Sequence, residues 1–394
     1  MTASEAAIRD HHDDEFHDDI IYPATIPFVL IHLAALAAFW TGVTVEGLVI
    51  CVALYWIRMF AVTGGYHRYF SHKSFSTSRV AQFLLAMLAQ SSAQRGVLWW
   101  ASKHRHHHKH SDTLNDVHSP RHRGFLYAHI GWIFDNHHSE TDLKTVPDLA
   151  RYPELVWLNN HPYFPATLLG VAVFLVAGWS GLVVGFVWST VLLYHGTFFI
   201  NSLAHVHGNQ RYVTGDDSRN NWWLAIITLG EGWHNNHHAY MASTRQGFRW
   251  WEFDPTYYTL KMLSWTGLVS NLIEPPPALV RNEKKLARGL VDKVARQLAA
   301  SVSVETICEN VREMWDHAPS WQAVRARAQT AQSDAMALLA DMHLPQMPTS
   351  DELRERARHM FASSPSMDDV VQRAREMILE KVAIELRLTA SVGA

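Results

Sequence analysis

The chain alternates between long apolar runs and segments dense in histidine and charge. Ile20–Trp40 holds 21 residues without a charge, enough for a helix to cross about 30 Å of hydrocarbon. Val43–Val62 follows after a two-residue break and carries only Glu46 and Arg58. Phe164–Trp179 and Gly181–Ile200 form a second uncharged pair, interrupted near Ser180. Four such runs exceed what one water-soluble core needs, so the pattern predicts two transmembrane helical hairpins. The first run does not read as a cleaved signal peptide: it follows an acidic segment, lacks a basic start and leads straight into the second run. Residues 1–19, 63–163 and 201–394 then share one side. Residues 63–163 hold eleven Lys or Arg and the short outer turns hold none. That side, with both termini, is therefore expected to be cytoplasmic.

Weaker patterns fill the rest. Arg79–Ala93 is apolar but too short to cross, and predicts an interfacial or buried helix. Trp99, Trp100 and Trp132 suit either the headgroup level or an ordinary core. Pro275–Pro277 closes this region. Beyond it Leu286, Leu290, Val294 and Leu298 recur every fourth residue, which predicts an amphipathic helix; Asp369–Leu386 reads similarly. The expected organisation is an acidic tail over 1–19, in which His11, His12 and His17 are solvated, a membrane domain with a cap over 20–277, and a soluble helical extension over 278–394.

Composition narrows the chemistry. A net charge of -3 leaves no basic excess for broad nucleic-acid binding. Cys51 and Cys308 are the two cysteines, too few for a disulfide framework or a thiolate cluster, so any metal must be held by nitrogen or oxygen. Histidine is the outlier: of 26, 23 precede residue 240, and His32 and His195 alone fall inside the expected spans.

Four clusters stand out. In His67-Arg-Tyr-Phe-Ser-His72 the imidazoles are five residues apart, about one and a half turns of an α-helix, so they are not strictly stacked. In His104-Arg-His-His-His108, His104 has partners at i+3 and i+4 (His107 and His108), while His106 and His110 point elsewhere. Glu231-Gly-Trp-His234-Asn-Asn-His237-His238 repeats that spacing. Asn201-Ser-Leu-Ala-His205 sits at the inner end of the fourth run, its polar residues one helical turn apart. Nine imidazoles are too many for one ion and about right for two, and such donors suit iron, zinc or copper. Asn201 could orient a metal-bound water, and Asp112, Asp116 and Glu231 are either partners of imidazole N–H groups or solvated acids and caps. The expected fold is an all-α integral membrane protein: four transmembrane helices with a cytosolic helical cap holding a di-metal centre.

Together HRYFSH, HRHHHKHSD, NSLAH and GEGWHNNHH, with QGFRWWEFD beyond, resemble the membrane-bound fatty acyl desaturases of the Δ9, stearoyl-CoA desaturase-like type, including bacterial members. The resemblance spans about residues 20–270 and excludes 278–394. It implies a di-iron centre on His67, His72, His104, His107, His108, His205, His234, His237 and His238, a metal-bound water on Asn201, and a long kinked tunnel for the acyl chain. His106 departs from the pattern, standing where the family varies. The implied reaction uses O2 and two electrons to make a cis double bond in a fatty acyl thioester or acyl lipid, in a bacterial inner membrane. The chain has no His-Pro-Gly-Gly haem motif, Gly-rich dinucleotide fingerprint or cysteine cluster. Electrons are therefore expected from a separate ferredoxin, rubredoxin or cytochrome b5, docking on a cationic face around Arg68, Lys103, Arg105 and Lys109. Ala53, Gly185 and Thr190 are candidate small residues setting tunnel depth. A related lipid hydroxylase shares the spacing. A metal transporter fits worse, because transporters carry their polar ligands inside the spans.

Overall fold

A computed structural model of the chain describes residues 25–135, 139–317 and 347–392; the acidic tail and its histidines lie outside them. The chain divides into two compact units that interleave in sequence.

The first unit comprises Met1–Val206, Trp223–Gly232 and Asp254–Ile273. Helix α1 (Ile26–Ala35) starts with proline in its first turn, where the missing N–H costs nothing. Helix α2 (Val45–Phe60) is capped by Thr44, whose hydroxyl accepts from Gly47 N. It runs without interruption into a π-helical stretch, Ala61–Ser71. Ser78 caps α3 (Arg79–Gln90) in the same way. Then follow α4 (Val97–His110), α5 (Phe164–Ser180) and α6 (Ser189–Asn201). Gly178 breaks α5 with φ 62° and ψ −156°, and π-helical Gly181–Trp188 joins α5 to α6.

Val45–Ser71 and Phe164–His205 are long and apolar enough to cross a membrane, at 27 and 42 residues, and Ile26–Thr41 is a shorter apolar helix. Their outward side chains suit lipid rather than water: Leu30, Leu33, Val49, Val52, Leu175 and Val176 are all exposed. Inside, Met59, Tyr66, Phe70, Leu98, Leu155, Leu158 and Leu193 form the main core. Trp99 and Trp132 belong to the interior, stacked with centroids 6.1 Å apart. Helix α3 buries Gln82, Ala86, Ala89 and Gln90 while the apolar Val80 and Leu84 stay exposed. Strands β1 (Ser76–Thr77) and β2 (Val269–Ser270) form one short antiparallel pair, Ser76 opposite Ser270.

The second unit comprises His207–Trp222, Trp233–Phe253 and Glu274–Ala394. It contains α7 (His234–Ala239), and the first unit resumes with α8 (Pro255–Trp265). Among the described residues the second unit also contains α9 (Arg288–Ala300), α10 (Val304–His317), α11 (Ser350–Met360) and α12 (Met367–Val392). Thr349 and Glu352 close a reciprocal capping box on α11. Val294, Leu298, Ile307, Leu353, Val370, Ile378 and Val382 fill the core between these helices. Leu286, expected as the first rung of the amphipathic stripe, precedes α9 and packs on that core from outside the helix. Val213, from far upstream of the extension, is buried in the same core.

Candidate metal centre

The π-helical stretch explains the first histidine pair. Its backbone bonds run between residues five apart, and His72 N donates to His67 O at 3.2 Å. That pitch brings the two rings together with centroids 4.9 Å apart, which the α-helical spacing assumed from the sequence would not do.

Helix α4 divides its histidines between two groups. His104 and His108 lie one turn apart, with Nε2 atoms separated by 2.9 Å. The His72 Nε2 stands 2.8 Å from that of His104. Ring nitrogens of His67, His72, His104 and His108 all fall within 4.8 Å of one another. His107 turns elsewhere: its ring lies 4.4 Å from His118 and 5.5 Å from His205. The rings of His106 and His110 lie tilted against each other with centroids 4.6 Å apart, and His106 bonds to Asn115 O.

Carboxylates stand behind three of these rings. Glu231 lies 2.6 Å from His67 Nδ1, Asp116 lies 2.8 Å from His107 Nδ1, and Asp112 lies 2.9 Å from His205 Nδ1. A carboxylate on Nδ1–H fixes the tautomer and leaves the Nε2 lone pair for a metal. Burial opposes the charge on Glu231, but His67 and Arg68 outweigh it and hold the carboxyl below its usual value. Asp116 is likewise held well down, against burial, by His107 and His118. Burial, reinforced by the neighbouring imidazoles, pushes His104 well below the usual imidazole value. His104 is therefore neutral at pH 7, the form that can bind a metal.

Arg68 anchors this arrangement. Fully buried, it donates to Glu231 and to Asp254, and Asp254 also caps α8 by accepting from Tyr257 N. It is therefore not part of a cationic docking face. Arg105 is committed as well, to Asp148 and to the carbonyls of Phe70 and Ser71. Of the four expected docking cations only Lys109 is exposed, and Lys103 lines a cavity.

In the second unit α7 presents the rings of His234 and His238 4.4 Å apart, with His237 5.6 Å or more from either. His238 Nδ1 lies 2.8 Å from Asp216. The asparagines between the histidines pin the flanking loops. Asn235 accepts from Arg211 N and Tyr212 N, and Asn236 bonds Asn220 and Glu252.

A cavity of about 880 Å³ in the first unit runs from Phe28, Tyr194 and Phe198 to His104, His118 and Asn201. A second, of about 1140 Å³, is lined by Pro27, Ile31, Phe174 and Phe186 and also reaches Tyr194. Ala53, Gly185 and Thr190, expected to set tunnel depth, line neither. Ala53 is exposed, a side chain on Gly185 would lie 2.7 Å from Ile50, and Thr190 is buried beneath Arg58. Asn201 ends α6, and His205 follows on a 3-10 turn, so the two do not share one helical face.

His118, Asp216 and Asp254 are the site residues that sequence spacing did not reveal. Each arrives from a loop, and no periodic pattern marks it. His32 and His195, expected inside the apolar runs, form a bonded row with His129, 3.2 and 3.0 Å between ring nitrogens, ending on Ser202.

Comparison with known proteins gives this geometry its context. The family model for fatty acid desaturases matches residues 44–263. The sn-1 stearoyl-lipid 9-desaturase of Anabaena variabilis is 37% identical over 256 residues, covering 63% of this chain and 92% of the relative. The sn-2 palmitoyl-lipid 9-desaturase of Nostoc sp. (strain 36) is 34% identical, covering 64% and 89%. An acyl-CoA 5-desaturase of Anemone leveillei is 35% identical, covering 61% and 73%. With its long apolar helices and clustered imidazoles, the chain belongs to the fatty acid desaturase family and is a membrane-associated fatty acyl desaturase, an oxidoreductase built around a metal centre.

Proposed function

We propose that the protein is an oxygen-dependent di-iron desaturase that introduces a cis Δ9 double bond into the acyl chain of a lipid. The observation that carries this reading is the convergence of His72, His104 and His108. Their Nε2 atoms approach to 2.8 and 2.9 Å, close to the separation of about 3 Å between two imidazole ligands at right angles on one ion. Ring nitrogens converging at this spacing suit a shared cation.

The full ligand set in this reading is His67, His72, His104, His107, His108, His205, His234, His237 and His238, with Asn201 orienting a bound water. All-nitrogen donors suit iron. Two irons held by these imidazoles would supply the O2 chemistry of desaturation, in which O2, two electrons and two protons take one hydrogen from each of two adjacent methylenes and leave two waters. The protein's own part is positional. Glu231, Asp112, Asp116 and Asp216 hold imidazole tautomers. Phe28, Tyr194 and Phe198 offer an apolar bed that brings a methylene pair toward His104 and excludes water.

Acyl-lipid substrates and Δ9 placement rest on the relatives named for 9-desaturation of stearoyl- and palmitoyl-lipids. In this reading the four apolar runs are four spans of a bacterial inner membrane, both termini are cytoplasmic, and a ferredoxin, rubredoxin or cytochrome b5 delivers the electrons. The test is gas chromatography–mass spectrometry of lipids from cells expressing wild type or His237→Ala. Wild type should add a Δ9-unsaturated acid and the variant none. A hydroxylated acid, or no new product, refutes the proposal.

A further inference from the structure

We propose that the C-terminal helix α9 clamps the support of a metal ligand: it holds the loop 213–218, and through it the Asp216 carboxylate that orients His238. This rests on the reading of His238 as an iron ligand. Helix α9 lies beyond the residues that the family model matches, and nothing in the reaction itself calls for it.

The loop is held between two elements of the second unit. On one side is the ligand helix. Asp216 Oδ2 receives His238 Nδ1 at 2.8 Å. Asn235, from the turn between His234 and His238, ties down Arg211 and Tyr212 at the base of the loop. On the other side is α9. The Val213 side chain is buried with Val294, Ala295 and Leu298. Gln297 Nε2 donates to Gly215 O at 3.0 Å. Gly215 has φ +74°, and a side chain there would lie 3.0 Å from both Leu290 Cδ1 and Lys293 Cδ. The loop backbone therefore lies directly on α9, which a bulkier residue would prevent.

Asp216 sits between these two fixed points. Its Oδ1 accepts from Thr214 Oγ1 at 2.7 Å and Ser218 Oγ at 2.6 Å, so the loop's own hydroxyls leave Oδ2 facing the imidazole. A carboxylate can hold a ring to a metal only as firmly as its own backbone is held. Gln297 and Gly215 are thus positioning residues, acting through Asp216.

The experiment uses the full chain, purified in detergent and loaded with iron. It counts iron per chain and times its release to a ferrous chelator, with helical content and thermal unfolding followed in parallel. Asp216→Asn should release iron from one site about 10–100-fold faster than wild type. Gln297→Ala should release it about fivefold faster, the worth of one neutral hydrogen bond, with helical content unchanged. Gln297→Lys, which keeps a donor, should release it more slowly than Gln297→Ala. The double variant Gln297→Ala/Asp216→Asn should match Asp216→Asn alone, because both act on the same ligand. Should Gln297→Ala fail to fold, Gly215→Ala approaches the same contact from the loop and should also speed release. Release from these variants at the wild-type rate, or additive effects in the double variant, overturns the clamp while leaving the desaturase reading intact. A wild-type chain that holds no iron overturns both.

Discussion

Arg58 and Arg68 sit ten residues apart on one continuous helical run, and both are fully buried. Their charges are accommodated by different means. Arg58, within the apolar stretch, donates to the hydroxyls of Ser189 and Thr190 and to the carbonyls of Leu54, Ser91 and Phe186. Arg68, beside the histidines, bridges the carboxylates of Glu231 and Asp254. The first arrangement spreads one charge over dipoles and brings no second ion into a low-dielectric region. The second gathers three ions so that one of them, Glu231, can reach His67. A buried charge held by dipoles is a packing device; a buried charge held by counter-ions sets the electrostatics of its neighbours.

Arg68→Met should do the most damage, about 3–5 kcal/mol, because it strands two buried carboxylates; thermal unfolding in detergent measures it, and bound iron should fall with it. If Arg58→Met proves equally costly, the distinction between dipoles and counter-ions fails.

Acid should strike the same cluster next. Glu231 titrates below its usual value in the folded chain, whereas the unfolded carboxyl has a pKa of about 4.3. Its stabilisation is therefore complete above that unfolded value and is lost as pH falls through the folded one. Unfolding measured between neutral and acid pH should show this loss in wild type, and a flatter profile in Glu231→Gln.

Arg58→Met should cost less, about 1–3 kcal/mol. The hydroxyls it abandons keep other acceptors: Ser189 on Gly185 O and Thr190 on Phe186 O. Smallest of all, Ser189→Ala should cost about 1 kcal/mol, since it removes one of several partners of Arg58. A Ser189→Ala effect as large as that of Arg58→Met would mean that the serine, and not the shared set, carries the charge.

The same pair shows what a sequence discloses. The apolar runs were legible because hydropathy is a local property. So were the i, i+3, i+4 histidines of α4 and α7, since helical spacing is local too. The burial of Arg68 was not: its counter-ions lie 163 and 186 residues away, and in the sequence it looks like any surface cation. The split of His104 and His108 from His107 follows from the helix's turn of about 100° per residue, yet which group each ring joins depends on where the Ala61–Ser71 stretch and the 203–205 turn stand. Asp216 and His118 come from loops, where no period operates. The small residues Ala53, Gly185 and Thr190 misled because size alone does not distinguish a cavity wall from a helix contact, a lipid-facing position or a partner for a buried guanidinium.

The π-helical stretch at Ala61–Ser71 has a practical corollary. Copied onto an ordinary α-helix, HRYFSH would splay its two imidazoles about 140° apart, and an engineered protein carrying only those six residues would lose the pair. The motif is not portable as a string of letters. Its meaning depends on a wider winding of the backbone, so anyone transplanting this chemistry must carry over the whole stretch and the core that keeps it wound.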